Sequence, residues 1–392
     1  MNDAYLVDYA RSAFTRAHPR KPEVDAWSGQ RGDALLARVI DALLSRRGIE
    51  GERIEDLSIG CALPVKEQWS FGGRYPQWLS ALGASCASRQ IDQQCGSSLA
   101  ALRATVREIQ VGAIEAGVAG GFENMSRVPM GPSLFQEGVL TIPEALEGRD
   151  DLDLGVAMNM GLTAERLARE SGISREAMDA FALRSHQRAT QAERDGWFEG
   201  ERLALPNPAG ETVATDANIR PDTSLERLAG LDPAFVEGGR ITAGNSSPLT
   251  SGAGAALVMS EAGLARHGLS PLARVVAVVD VGVTPERMGA GAAKAIARAL
   301  TSTGLHVDDI DAWEINEAFS AVPLYAMDSL GLDPERVNVY GGALALGHPL
   351  GATGIRLAGT LARLLQHRQG RYGCAAACIG GGQGIAMILE RA

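Results

Sequence analysis

A chain of 392 residues is too long for one small core, so two domains or a duplicated one are expected. Its 45% hydrophobic content, 5% aromatics and 47 glycines describe a tightly packed Ala/Gly-rich globule and exclude a disordered or fibrous protein. A net charge of −10 argues against nonspecific nucleic-acid binding, while leaving room for a local basic strip that meets a phosphorylated ligand.

The chain opens on "AYLVDYA" (4–10), an apolar strand without the basic start of a signal peptide. No stretch approaches the ~18 uninterrupted apolar residues of a membrane span, so a cytoplasmic protein is expected. "GDALLARVIDALLSRRGIEGERIEDLSIGCALP" (32–64) follows as an amphipathic helix, a Gly turn, an acidic step and a short strand. In "DQQCGSSLAALRATVREIQ" (92–110), Leu99, Leu102, Val106 and Ile109 mark one face of a helix. Ser97 and Ser98 are expected to cap its first N–H groups. Cys95 would then stand at the positive end of the helix dipole, where a thiolate is favoured. "EAGVAGG" (115–121) closes this unit as a small-residue strand.

Residues 122–243 differ in character. Pro, Gly and Met without sustained periodicity give way to helical stretches at 162–172 and 174–196, which reads as an inserted loop or lid subdomain. "AGNSSPLTSGAGAALVMS" (243–260) returns to small residues and completes the first half with a strand. The opening pattern then repeats. "ARVVAVVDV" (273–281) precedes "GAAKAIARALTSTGLHVDDIDAWEINEAFS" (291–320), three residues shorter between the Gly turn and the acidic step. "GHPLGATGIRLAGTLARLL" and "CAAACIGGG" (374–382) match the Cys95 helix and its strand. The organisation expected is therefore 1–121 plus 244–263, an insert at 122–243, and 264–392. Strands alternating with helices imply mixed sheets covered on both faces. Cys95 and His348 hold corresponding places in the two halves, and packing about a pseudo-two-fold axis brings them together.

Four residues carry the chemistry. An imidazole, His348, lowers the thiol pKa of a neighbouring Cys95. Cys378, kept as a thiol, exchanges a proton with carbon. The N–H groups of Gly380 and Cys95, with Asn316 acting through a water, are placed to hold developing oxyanions. Two thiols, a His and an Asn without an acidic third member suit carbon–carbon bond chemistry at a thioester better than peptide hydrolysis. Cys374 and Cys378 form a C-x3-C pair, but no matching Cys/His pair accompanies it, so no metal site is expected. Five cysteines, odd and sparse, form no disulfide framework and fit a reducing compartment.

These motifs together resemble the thiolases, coenzyme-A-dependent 3-oxoacyl transferases, over essentially the whole chain. The matching stretches are "QQCGSSLAAL", "GGFENMSR", "MGLTAER", "IRPDTSLERLAGLDPAF", "TAGNSS", "NEAFS", "NVYGGALALGHPLGATG" and "CIGGGQGIA", in family order. The resemblance implies an α/β fold of duplicated βαβαβαββ halves layered α/β/α/β/α. It implies that Cys95 carries the acyl group, His348 activates it, Cys378 is the acid/base at the α-carbon, and Asn316 with His348 steadies the enolate oxygen. The Cys95 and Gly380 amides would hold the tetrahedral intermediate. Coenzyme A is a substrate, no cofactor is tightly bound, and a homodimer or homotetramer is implied. Arg220, Ala243, Gly244 and Ser247 would contact CoA; Met160, Met288 and Phe319 would line the acyl region.

The sequence departs from the family pattern in "RSA" (11–13), Asn159, "LTSG" (249–252) and Tyr340, which bears on substrate preference. Thiolytic cleavage of 3-oxoacyl-CoA is the favoured reading. A biosynthetic acetoacetyl-CoA thiolase, a decarboxylating condensing enzyme and a non-catalytic lipid carrier stand as alternatives.

Overall fold

The computed structural model describes all 392 residues, with the side chains of Pro132 and Ser133 excepted. In chain order its main elements are β1 (Ala4–Ser12), α1 (Gly32–Arg47), β2 (Asp56–Gly60), β3 (Ala87–Ile91), α2 (Ser97–Gln110), β4 (Ala116–Asn124), α3 (Met160–Glu170) and α4 (Arg175–Arg194). There follow β5 (Thr250–Ser260), β6 (Ala273–Gly282), α5 (Gly291–Thr303), β7 (Ile310–Ile315), α6 (Ala321–Leu330), α7 (Leu350–Arg368), β8 (Tyr372–Ile379) and β9 (Gln383–Arg391).

The repeat in the sequence is a repeat in the sheet. The first half runs β3-β2-β4-β5-β1, with β3, β2 and β4 parallel and the last two joints antiparallel. The second half runs β7-β8-β9-β6 with the same senses. Where β3 would recur, a single parallel bridge joins Trp313 to Val337. Two antiparallel pairs, Tyr5 with Arg274 and Leu6 with Ala273, connect β1 to β6.

The buried strands explain the composition. All eleven residues of β5 are buried, and "TSGAGAALVMS" offers side chains small enough for helices on both faces. Helix α7 is buried on nearly all sides from Leu350 to Leu365, and α2 packs across it. Glycine makes that crossing close. A Cβ at Gly354 would stand 2.4 Å from the Leu99 amide nitrogen, and one at Gly121 would stand 1.9 Å from the Gly351 carbonyl oxygen. Leu99, Leu102, Val106 and Ile109 are all buried.

The insert is not a separate body. Ala164, Leu167, Met178 and Phe181 from α3 and α4 share one apolar cluster with Met288, Phe319 and Val322 of the second half. Strand β4 runs to Asn124, three residues past the expected boundary at 121. Among the described residues no helix is long and apolar enough to cross a membrane.

Candidate active site

Cys95 sits in a turn whose backbone is forced. Gln94 adopts φ +45°, held by its amide N–H donating to Asp92 Oδ1 (3.0 Å) and its side chain donating to the Ala62 carbonyl (3.0 Å). The serines do not cap α2 as expected. Ser97 Oγ accepts from the Gln93 amide at 2.9 Å and donates to the Gln94 carbonyl at 2.6 Å, while Ser98 Oγ accepts from the Ile355 amide of α7 at 3.0 Å. Their hydroxyls lock the nucleophile turn and the helix crossing instead.

His348 reaches the same place from the second half. Its amide donates to Thr250 Oγ1 (3.0 Å), and Leu350, two residues on, packs with Cys95, Ala17, Ala62 and Met125. The imidazole is held at both nitrogens, by Thr353 Oγ1 2.6 Å from Nδ1 and by Asn316 Nδ2 3.2 Å from Nε2. Thr353 donates its own proton to the Pro349 carbonyl (3.0 Å), so it accepts from Nδ1–H. With Nδ1 bearing the hydrogen, Nε2 keeps its lone pair, facing the Asn316 Nδ2 group. Asn316 extends from β7, with its amide on the Ala376 carbonyl at 2.8 Å.

Cys378 ends β8. The following residue, Ile379, would meet a Cβ at Gly96 at 2.4 Å, so the β8–β9 turn lies directly on the Cys95 turn. The Gly380 and Cys95 amides both reach the Cys95 sulfur.

Electrostatics revises the expected thiolate. Burial in the apolar box pushes the Cys95 thiol up to about 11, and the Gly380 and Cys95 amides only partly offset this. Burial, with Arg356 second, pulls His348 down to about 3. Cys378 is raised well above the usual thiol range, by burial first and then by Cys95. Burial therefore favours the uncharged form of all three groups, two thiols and a neutral imidazole. Among the described residues no group of three His, Cys, Asp or Glu side chains is arranged to hold a metal.

Met160, Met288 and Phe319 fall in the apolar cluster that contains Cys378, and Met160 Sδ lies 3.3 Å from where a Gly380 Cβ would stand. A cleft of about 180 Å³ lies near, lined by Arg220, Ala243, Gly244, His186, Asp222 and Arg227 among others. Ser246 and Pro248 line it, whereas Ser247 between them binds the Ala318 carbonyl through its amide (3.0 Å). A larger cavity of about 410 Å³, lined by Arg287, Lys294 and Tyr325, includes none of the expected site residues.

Sequence reasoning missed several neighbours. Thr353 and Thr250 hold the histidine loop, and Thr353 was visible as the hydroxyl of "GHPLGATG". Glu123, 1% exposed, accepts from the Ala62 and Gly351 amides (2.9 Å each) and from Gln68 Nε2 (2.5 Å), tying the cysteine side to α7. His186 is buried, accepts the Arg220 amide at Nδ1 (3.2 Å), and lines the cleft. The departures also acquire reasons. Asn159 caps α3 by accepting from the Gly161 and Leu162 amides, and Tyr340 stacks on Trp197 with centroids 4.0 Å apart.

The thiolase N-terminal domain model matches residues 6–262 and the thiolase C-terminal domain model residues 269–391. The chain belongs to the thiolase family. A 3-ketoacyl-CoA thiolase of Shigella sonnei is 39% identical over all of this chain and all of its own length. One from Bacillus subtilis is 36% identical, again over the full length of both. The human mitochondrial 3-ketoacyl-CoA thiolase solved in complex with CoA superposes with a TM-score of 0.88 at 32% identity, covering 100% of this chain and 98% of the other. This thiolase thus has the layered α/β fold of its relatives.

Proposed function

We propose that the chain is an acetyl-CoA C-acyltransferase that cleaves 3-oxoacyl-CoA with CoA. Curated relatives of 36–39% identity carry the name 3-ketoacyl-CoA thiolase along their whole length. The observation that carries the mechanism is His348, neutral and held so that Nε2 can take a proton.

Cys95 gives its proton to His348 as Sγ attacks the 3-keto carbon. The Cys95 and Gly380 amides receive the oxyanion. The bond between C2 and C3 breaks, leaving the acyl group on Cys95 and an acetyl-CoA enolate, steadied by Asn316 and His348. Cys378 protonates the enolate carbon and becomes a thiolate. The thiol of an incoming CoA restores that proton and attacks the acyl-enzyme; Cys95 leaves and recovers its proton from His348. This is a ping-pong sequence without redox change. Raised thiol pKa values suit it, because both sulfurs must hold protons until the carbon centre calls for them.

Arg220 and Arg227 supply the cationic rim for the CoA phosphates in an otherwise acidic protein, with Ala243 and Gly244 beside the pantetheine arm and Met160, Met288 and Phe319 beside the acyl chain. A second copy is the expected macromolecular partner. Strand β3 is a sheet edge, and Trp69, Phe71 and Trp78 beside it are each more than half exposed. Five buried free thiols suit a reducing, cytoplasmic setting.

The test is to mix the enzyme with a 3-oxoacyl-CoA and CoA and follow loss of the enolate absorbance. Turnover supports the reading. Binding without turnover would indicate a carrier, and consumption of malonyl thioester a decarboxylating enzyme; either overturns it.

A further inference from the structure

Two side chains unused by the mechanism lie one step beneath the imidazole. Glu314 is on β7, two residues before Asn316, which directly follows the strand, so the two point to the same side of the extended chain. Arg356 is three residues after Thr353 on α7, so those two share a face of the helix. Asn316 and Thr353 are the groups that hold the two ring nitrogens. The same strand and helix therefore meet twice, once across the imidazole and once where Arg356 Nη1 donates to Glu314 Oε2 at 2.5 Å.

The second meeting is fully enclosed: Arg356 is 1% exposed and Glu314 0%. Among the described residues, Glu314 Oε1 and Arg356 Nε and Nη2 find no protein partner, so each charge answers chiefly to the other. A buried pair of this kind generally returns less than it costs to desolvate. Stability does not account for it, whereas its position does.

We propose that the Glu314–Arg356 pair is a positioning device for His348, fixing the separation of β7 from α7 and placing a charge-balanced floor under the base. The inference rests on His348 acting as the proton acceptor described above. Accepting the Cys95 proton creates an imidazolium, which Arg356 repels; the carboxylate that offsets Arg356 is the one bonded to it, Glu314. The other buried carboxylates nearby are already committed. Glu317 accepts from Ser185, Asn338 and the Leu344 amide, and Glu201 from Arg11 and Thr360. Removing the Glu314 charge alone leaves Arg356 uncompensated. Neutralising both partners restores the balance and keeps a side-chain contact.

The experiment compares Glu314→Gln, Arg356→Gln and the double variant in the full chain, measuring kcat, KM and melting temperature. Each single change is expected to lower kcat about tenfold or more while KM for the 3-oxoacyl-CoA stays within about twofold, and the double variant to recover to within about threefold of wild type. Unchanged kcat in the singles, a loss expressed in KM, or a double variant no better than the worse single overturns the proposal. Should a single variant not fold, Arg356→Lys replaces it. Its ammonium keeps the charge, so it should remain within several-fold of wild type, and inactivity with an unchanged melting temperature counts against the pair. Wild-type protein that forms no acyl group on Cys95 sinks the proposed function instead, which keeps the two failures distinct.

Discussion

Thr353 sets the chemistry of His348: its Oγ1 lies 2.6 Å from Nδ1 and donates a hydrogen bond to the Pro349 carbonyl. One hydroxyl so placed decides which ring nitrogen bears hydrogen and leaves Nε2 as the base. Thr353→Val removes the acceptor and strands a buried N–H, a cost of about 1–3 kcal/mol. The kcat should fall about 10- to 100-fold, while Thr353→Ser should stay near wild type; steady-state kinetics on the two variants decides.

The division of labour between the sulfurs is separable. Cys95→Ser should abolish acyl-enzyme formation, read by mass spectrometry after incubation with a simple acyl-CoA. Cys378→Ala should still acylate Cys95 but fail to cleave the C2–C3 bond. Equal loss of both partial reactions in the Cys378 variant would contradict the roles assigned.

A Cys95 thiol raised to about 11 beside a histidine lowered to about 3 makes no standing thiolate at neutral pH. The rate of iodoacetamide modification at Cys95 should therefore climb about tenfold per unit between pH 7 and 10, followed by peptide mass spectrometry. A plateau already reached at pH 7 would mean that imidazole and helix dipole outweigh burial.

Glu123 links pH to stability. Burial raises its carboxyl to about 7, against the ordinary 4.5, so the folded state binds the proton more tightly than the unfolded one. Stability must then fall as pH rises from about 4.5 through about 7, by at most about 3 kcal/mol from this group. Glu123→Gln should flatten that part of the profile, as seen in melting temperatures from pH 4.5 to 8.

Gly354 carries the crossing of α2 and α7. Gly354→Ala drives a methyl against the Leu99 backbone, which no side-chain rotation relieves. A loss of about 3 kcal/mol or more is expected, in contrast to Gly48→Ala, whose Cβ meets open space and whose cost comes only from φ +64°. Thermal denaturation of both variants makes the comparison.

Much of the architecture was legible because the chain states it twice. The helix from Ser97 to Gln110 follows from its apolar spacing, and the expectation that the Cys95 and His348 loops converge follows from their equivalent places before α2 and α7, where Leu350 packs with Cys95. What could not be read depends on contacts between halves. Ser97 and Ser98 look like caps until Ile355 claims one hydroxyl and the left-handed Gln94 turns the other back. Thiol acidity failed for a different reason: the dipole argument counts local charge, whereas desolvation depends on Ala17, Ala62, Met125 and Leu350, distant in sequence. Glu123 and Thr250 were missed likewise, since nothing near them in the chain announces the loops they hold. Ser246 and Pro248, on either side of Ser247, line the cleft, and the Ser247 amide bonds the Ala318 carbonyl.

Backbone lying against backbone at Gly121, Gly351 and Gly354 leaves no solvent or side-chain cushion between the repeats. One repeat brings a single sulfur; the other brings the base, its amide companion and the second sulfur. A polypeptide severed between residues 262 and 269 would therefore yield two catalytically mute fragments, and any activity regained on mixing them would measure how faithfully that seam closes again.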